Sequence, residues 1–338
     1  MISRDGRASL GSDLEAYRPQ LVAHCYRMLG SPFDAQDAAQ EALSKAWRQA
    51  DRYDPNRGAY RTWLYAITTN VCLDLLRGRQ RRLRAADLAP PAGPSSSLGE
   101  VVAPHRWVEP LPDALITPVD DGPEAVVLRR EDVRLALIAA LQHLPSRQRA
   151  VLLLRQVVGL SAAEVGEILS ASTAAVNSAL QRARASLADV SPESSDASDL
   201  DDEGQRQLLE RYIVAFEAQD HDALVALLTE DAEMEMPPLV WWLQGRDAIE
   251  EVWHADPGAC AGSRLLPTRS NGGPAVAQYV WSDEHGRYEP QSLTVLELDA
   301  GRIRRLLVQL DTARWFPLFG LPLELTGLST VPHPRSHR

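Results

Sequence analysis

Apolar residues recur at steps of three and four from the start of the chain. Leu14, Tyr17, Leu21, Cys25, Met28 and Leu29 share one helical face, which predicts an amphipathic helix over 14–29. Beyond the Gly30-Ser31-Pro32 break, Ala39, Ala42, Leu43, Ala46 and Trp47 repeat the period over 34–50. Asp37, Gln40, Glu41, Lys45 and Arg48 occupy the other side of that second helix. The turn chemistry of Asp54-Pro55-Asn56-Arg57-Gly58 then introduces a third helix, with Leu64, Ile67, Val71 and Leu75 on one side, running toward Arg82. Three helices make a first domain over 10–84.

Residues 85–123 are rich in Pro, Ser, Gly and Ala and read as a linker, with Trp107 and Leu111 as places where part of it docks. Helical periodicity returns at Val133, Leu137, Leu141 and Leu144, and Pro145 is suited to open the next helix, through Val158. Ser161-Ala162-Ala163-Glu164 is a capping box that starts a short helix ending near Leu169. After the Ser170-Ala171-Ser172 turn, Val176, Leu180, Ala183 and Leu187 give the buried face of a longer helix. Two helices joined by a tight turn, with Arg182 and Arg184 on the second, form a helix-turn-helix within a second domain over 124–190.

An acidic, serine-rich connector over 191–204 leads to a block of different character. Helices are predicted over 205–218 and 222–228, then strands over 232–236, 275–281, 292–298 and 303–310. Asp299-Ala300-Gly301 is the hairpin signal between the last two strands. Helices first and antiparallel strands later predict an α+β domain over 205–315, with an irregular proline-rich tail over 316–338.

The chain is long enough for two or three such domains at 338 residues, and its net charge of -11 argues against a protein that coats nucleic acid. Any DNA contact has to be local. The third helix and its extension supply one: Arg61, Arg77, Arg79, Arg81, Arg82 and Arg84 stand against Asp74 alone between 61 and 84, a local charge of +5. Tyr60 and Trp63 at its start can stack on unpaired bases or serve as core, and from the residues alone both readings stand. In the helix-turn-helix, Thr173, Ala174, Asn177, Ser178, Gln181 and Arg182 lie where a major groove would meet them. The block from residue 208 onward carries 19 acidic and 11 basic residues, so it is expected to attract the basic end of the first domain.

The first residues lack the apolar core of a secretory signal and no later stretch has bilayer-spanning length, so a cytoplasmic protein with no membrane association is expected. Cys25, Cys72 and Cys260 are far apart and lack metal-site spacing, so neither a metal nor a cofactor is expected.

The segment SPFDAQDAAQEALSKAWRQADRYDPNRGAYRTWLYAITTNVCLDLLRGRQRR resembles region 2 of group-IV, extracytoplasmic-function sigma factors, and LPSRQRAVLLLRQVVGLSAAEVGEILSASTAAVNSALQRARASL resembles their region 4. The block LLERYIVAFEAQDHDALVALLTEDAEMEMPPLVWWLQGRDAIEEVW is similar to the start of a SnoaL-like domain, in a subset with an EMPP strand and an FGLPL tail. The implied fold is multidomain: two all-α DNA-binding domains, three-helix region 2 and helix-turn-helix region 4, plus a C-terminal α+β cone-shaped barrel.

The resemblance implies a sigma factor that binds core RNA polymerase and directs initiation at specific promoters, with the fused domain regulating it through intramolecular contact with the sigma domains. Asp37, Gln40, Glu41, Lys45 and Trp47 match its polymerase-docking positions. Asn56, Arg57, Arg61, Trp63, Asn70, Arg77 and Arg81 match the part that handles the melted −10 element. Thr173, Asn177, Ser178, Gln181 and Arg182 match the −35 reader. Many relatives carry a basic residue at the positions of Asn177 and Ala179 and glycine at that of Ser170, so a weak or assisted −35 contact is expected.

In the C-terminal domain Glu235, Trp242, Trp253, His254 and Tyr279 are candidates for a pocket that could take an unidentified small ligand. No spacing joins a base to an oxyanion donor, so no catalytic residue is assigned and the domain is expected not to be an enzyme. The competing readings are a ligand-sensing transcriptional repressor, or a small-molecule isomerase or cyclase with a DNA-binding front.

Overall fold

The computed structural model describes residues 14–54, 59–93, 95–116, 133–190, 202–255, 258 and 260–325. The chain divides into two compact units. One contains the segments up to Leu83 and Val108–Ser194, and the other contains Arg84–Trp107 and the chain from Ser195 onward.

In the first unit, α1 (Arg18–Leu29) ends at Gly30, whose φ of 69° lets its N–H return to the Tyr26 carbonyl. Ser31 then caps α2 (Pro32–Arg48) by accepting from the Asp34 N–H, with Pro32 in the first turn. α3 (Tyr60–Leu76) completes the bundle. Its core is Leu21, Cys25, Met28, Ala39, Ala42, Leu64, Val71 and Cys72, all buried, as the periodicity requires.

The third helix stops at Leu76, well short of the predicted Arg82. Arg77 is extended and Gly78 has a φ of +74°, so the basic run leaves the helix. After Val108 the chain packs back on this bundle: the Tyr26 hydroxyl donates to the Glu109 carbonyl, and Leu111 is fully buried. α5 (Leu135–Gln142) and α6 (Ser146–Leu152) follow, with Pro145 just before the helix rather than inside it. A wider i→i+5 turn over Leu153–Val157 ends that segment. The helix-turn-helix is α7 (Ala162–Leu169) and α8 (Thr173–Val190).

The second unit begins with the short helix α4 (Ala85–Leu88), on the linker. It continues with α9 (Asp202–Ala218), α10 (His221–Val225), α11 (Arg246–Ala255) and α12 (Thr312–Leu318) around one sheet. The strands are β1 (Leu228–Glu235), β2 (Trp242–Gln244), β3 (Arg264–Ser270), β4 (Gly273–Ser282), β5 (Arg287–Asp299) and β6 (Arg302–Gln309), in the order β2-β1-β6-β5-β4-β3. β1 and β6 run parallel and the other neighbours antiparallel. Ala300 and Gly301, at φ of 47° and 77°, make the predicted hairpin between β5 and β6.

One face of the sheet carries the apolar core. Ala232, Leu243, Val276, Leu296, Ile303 and Leu306 pack under Leu208, Leu209 and Tyr212 of α9. Strand alternation turns Glu233, Glu235, Trp242, Glu297 and Arg305 to the opposite face, since Glu233 and Glu297 both pair in register with Arg305 and Glu235 with Trp242. The expected irregular tail from Phe316 begins instead as the end of α12, where buried Trp315 and Phe316 anchor it.

Candidate nucleic-acid interface and linker strap

The polar side of α2 is accessible. Asp37, Gln40, Glu41 and Trp47 are exposed and Lys45 half-buried, with Trp47 retaining 44 % of its surface although it is a large aromatic. Lys45 pairs with Glu41 at 2.7 Å, and Arg18 donates to Gln40 Oε1 at 2.9 Å. Leu14, Glu15, Gln40, Leu43, Ser44, Trp47 and Arg48 line an open groove of about 300 Å³ beside them.

The −10 candidates sit on and after α3. Trp63 is half-buried in an aromatic cluster, its ring 5.5 Å from those of Tyr53 and Tyr60, with Tyr17 edge-on to Tyr60 at 5.9 Å. Arg61 lies over the Tyr65 ring at 5.3 Å and donates to the Val158 carbonyl at 2.9 Å. Asn70 and Arg77 are exposed, Arg77 pairing with Asp74 at 3.3 Å. Arg81 meets His143 Nδ1 at 2.9 Å. Asn56 and Arg57 lie outside the described residues.

The helix-turn-helix is built as its sequence specifies. Ser161 accepts from the Glu164 N–H while the Glu164 carboxylate accepts from the Ser161 N–H, and these bonds hold the carboxyl below its ordinary pKa. Within α7, a Cβ on Gly166 would stand 2.6 Å from the carbonyl of Ala171 in the turn, so only glycine allows this close approach. Thr173, Asn177, Gln181 and Arg182 are exposed along α8 and Ser178 is partly so, with Arg182 donating to Ser178 Oγ at 2.6 Å. The array is coherent but carries few cations.

On the sheet face opposite the apolar core, Arg84, Ala85 and Trp107 of the linker meet the strands, while Ala92 packs against the core itself. The Arg84 guanidinium reaches Glu233 at 2.7 Å and Glu235 at 2.6 Å, and the Ala85 N–H donates to Glu235 at 3.2 Å. Arg305 joins from β6, 2.8 Å from Glu233 and 3.4 Å from Glu235, and also pairs with Glu297 at 2.5 Å. Burial opposes the Arg84 charge, but the fields of Glu235, Glu233 and Glu297 outweigh it and raise its pKa above the ordinary arginine value. Burial likewise opposes the charge on Glu233, and Arg305 and Arg84 reverse the balance, holding its carboxyl below the usual range.

Further along, Ala85 and Trp107 pack against Trp242, whose Nε1 donates to the Ala89 carbonyl at 2.9 Å. The Ala92 N–H reaches the Trp242 carbonyl, the Val240 N–H the Glu100 carbonyl and the Val102 N–H the Pro238 carbonyl. Gly99 makes this possible, since a Cβ there would lie 2.7 Å from the Val240 carbonyl.

The structure does not gather the five pocket candidates. Glu235 and Trp242 face the linker, and Trp253 is partly buried against the apolar core on the other side of the sheet. Tyr279 donates to the Pro322 carbonyl at 2.8 Å and stacks edge-on with Phe316. His254 keeps 46 % of its side-chain surface and approaches Asp222 at 3.5 Å. Among the described residues no His, Cys, Asp and Glu grouping suits a metal ion, and no helix is long and apolar enough to cross a membrane. Sequence reasoning missed the roles of Arg305 and Glu297. The Glu-Met-Glu alternation of 233–235 was the available signal, because it places two carboxylates on the face that the core does not use.

Residues 14–82 match the family description "Sigma-70 region 2", 134–187 "Sigma-70, region 4" and 209–306 "SnoaL-like domain". The chain is 45% identical over 321 residues to the ECF RNA polymerase sigma factor SigG of Mycobacterium tuberculosis, covering 94% of this chain and 85% of that one. It is 26% identical over 339 residues to SigJ of the same organism, covering 97% and 99%. The crystal structure of SigJ superimposes with a TM-score of 0.60 at 24% identity over 92% of this chain and 99% of that one, a likeness of fold. Two helical domains with a fused SnoaL-like domain thus recur along nearly the whole chain, and the repressor and enzyme readings are not favoured. The chain belongs to the ECF RNA polymerase sigma factors, which direct transcription initiation.

Proposed function

We propose that this sigma factor docks on core RNA polymerase through Asp37, Gln40, Glu41, Lys45 and Trp47. In this reading Asn56, Arg57, Arg61, Trp63, Asn70, Arg77 and Arg81 hold the −10 element, and Thr173, Asn177, Ser178, Gln181 and Arg182 read the −35 element. The C-terminal domain is a non-catalytic regulator, acting in the cytoplasm through its grip on the linker between the two DNA-binding regions. The observation that carries this is Glu235. Its side chain is 2 % exposed and occupied by Arg84, so the carboxylate best buried for proton abstraction is spent on an ion pair. A small ligand, where one acts, would have to work by altering that grip.

The test is reconstitution with purified core polymerase on a pool of promoter fragments. The expected result is co-elution and initiation at a discrete promoter set, core association lost in Trp47→Ala, and altered promoter output with intact core association in Glu235→Gln. Failure of the wild-type chain to associate with core would overturn the docking assignment. Unchanged output in Glu235→Gln would remove the regulatory one.

A further inference from the structure

Over its first two turns α8 presents a face without ionised side chains. Val176, Leu180 and Ala183 are buried, which leaves Thr173, Ala174, Asn177 and Gln181 exposed and Ser178 partly so. From Thr173 to Gln181 there is no lysine, arginine, aspartate or glutamate. Arg182, the first cation of the helix, turns back to donate to Ser178 Oγ at 2.6 Å, and exposed Arg184 follows it.

The end of α8 that would enter a groove is also fixed. Ser172 Oγ accepts from the Ala175 N–H at 3.2 Å, and the close approach of Gly166 to the Ala171 carbonyl sets the turn before it. In a helix-turn-helix this start of the second helix is the part that meets base edges.

In a major groove arginine and lysine read guanine, and aspartate and glutamate accept from cytosine. Neither class is present where α8 would read. Asn177 and Gln181 are present instead, with amides that match the N6 donor and N7 acceptor of adenine, and the Ala174 methyl matches that of thymine. Asn177 and Gln181 stand one turn apart on one side of the helix, and recognition-helix residues three or four apart reach successive bases.

We propose that Asn177 and Gln181 determine −35 specificity, each reading one adenine through a two-point amide contact, at neighbouring base pairs. The inference rests on the assignment of α8 to the −35 element. Ala174 packs on a thymine methyl in the same A·T block, and Arg182 and Arg184 touch phosphate without selecting a base. Each wrong base removes one two-point contact and lowers initiation about tenfold.

The test uses the full chain with core polymerase on a promoter from which it initiates, with the −35 block randomised and the −10 element kept. Initiating templates are expected to be enriched about tenfold for adenine at two neighbouring positions. Gln181→Arg is expected to change the preference at one of them from adenine to guanine, and Asn177→Arg at the other. Enrichment of G·C pairs by the wild type, absence of any base preference, or identical preferences in wild type and both variants overturns the proposal.

A second measurement depends on no variant that has to fold. 7-Deazaadenine at either selected position removes the N7 acceptor and keeps the pairing with thymine. Initiation by the wild type is expected to fall about fivefold, and Gln181→Ala is expected to be indifferent to the change at its own position. Adenine selection without loss on 7-deazaadenine would mean that A·T pairs are chosen through groove shape, which overturns the amide readout. All of these results leave the promoter assignment of α8 standing. Absence of initiation by the wild type on every template removes that assignment, and the proposal with it.

Discussion

Ser170 shows how much one backbone conformation can hold in reserve. It ends α7 at a φ of 51°, a left-handed geometry in which a side chain costs about 1 kcal/mol that glycine avoids. Ser170→Gly is expected to stabilise the helix-turn-helix by about 0.5–1 kcal/mol, the gain being trimmed by the greater freedom of glycine in the unfolded chain. A rise in the thermal midpoint of the first unit would show it, and a fall would mean that the serine makes a compensating contact.

Glu233 offers a test in pH. Its folded pKa lies below the ordinary 4.5, so its contribution is fully present above that value and is lost as the pH falls through the folded pKa. Urea melts at falling pH are expected to show the second unit weakening below about 4.5, and a smaller dependence in Glu233→Gln.

At the scale of elements, the strap is held by packing as well as charge. Trp242 contributes an indole against Ala85 and Trp107 and a hydrogen bond to the Ala89 carbonyl. Trp242→Ala is expected to cost about 3 kcal/mol and to open the 85–107 segment to limited proteolysis, whereas the wild-type segment resists. Persistent resistance in the variant would place the grip in the Arg84 ion pairs and the backbone bonds to Trp242, Val240 and Pro238.

This element also marks where the sequence stopped being legible. The helices of the first unit and the helix-turn-helix could be read because each carries its period, cap and turn within a few residues, Ser161 and Glu164 most plainly. β3 could not, because Pro267 interrupts its alternation, a substitution tolerated on an edge strand that needs no ladder bond from that nitrogen. Docking of the linker at Trp107 and Leu111 was legible, but the short β2 and the surface on which the linker docks were not, for a different reason. Proline- and serine-rich composition describes a chain with no core of its own, and it is silent about a sheet more than a hundred residues away that supplies one. Glu235 was read as a pocket carboxylate for the same reason: its acidity and its place on a predicted strand were visible, and the arginine that fills it was not.

For the whole molecule, the Arg84–Trp107 part of the linker belongs to the same compact unit as the C-terminal domain. Its 24 residues could span roughly 80 Å when extended. At its ends, however, the Val108 N–H donates to the Leu83 carbonyl at 3.0 Å, so the segment closes into a loop. Under the proposed regulation, loosening the sheet's hold is expected to change how far the two regions can separate. A chain truncated after Val190 loses the sheet and leaves the linker without its partners, so its promoter output should differ from that of the full-length protein while its association with core persists.

The route of that effect can be isolated by a double-mutant cycle. Arg84→Ala in the full-length chain is expected to shift promoter output in the same direction as truncation, because it breaks the pairs to Glu233 and Glu235 and leaves those carboxylates to Arg305 alone. Arg84→Ala in the truncated chain is expected to add nothing, since the partners it would lose are already gone. If instead the two changes add, the C-terminal domain acts on transcription by a path other than the linker, and Arg84 contributes in its own right as a cation that meets DNA. Measuring both at several salt concentrations separates these cases. A lost phosphate contact lowers the salt slope by about 0.9, and a released linker leaves it unchanged.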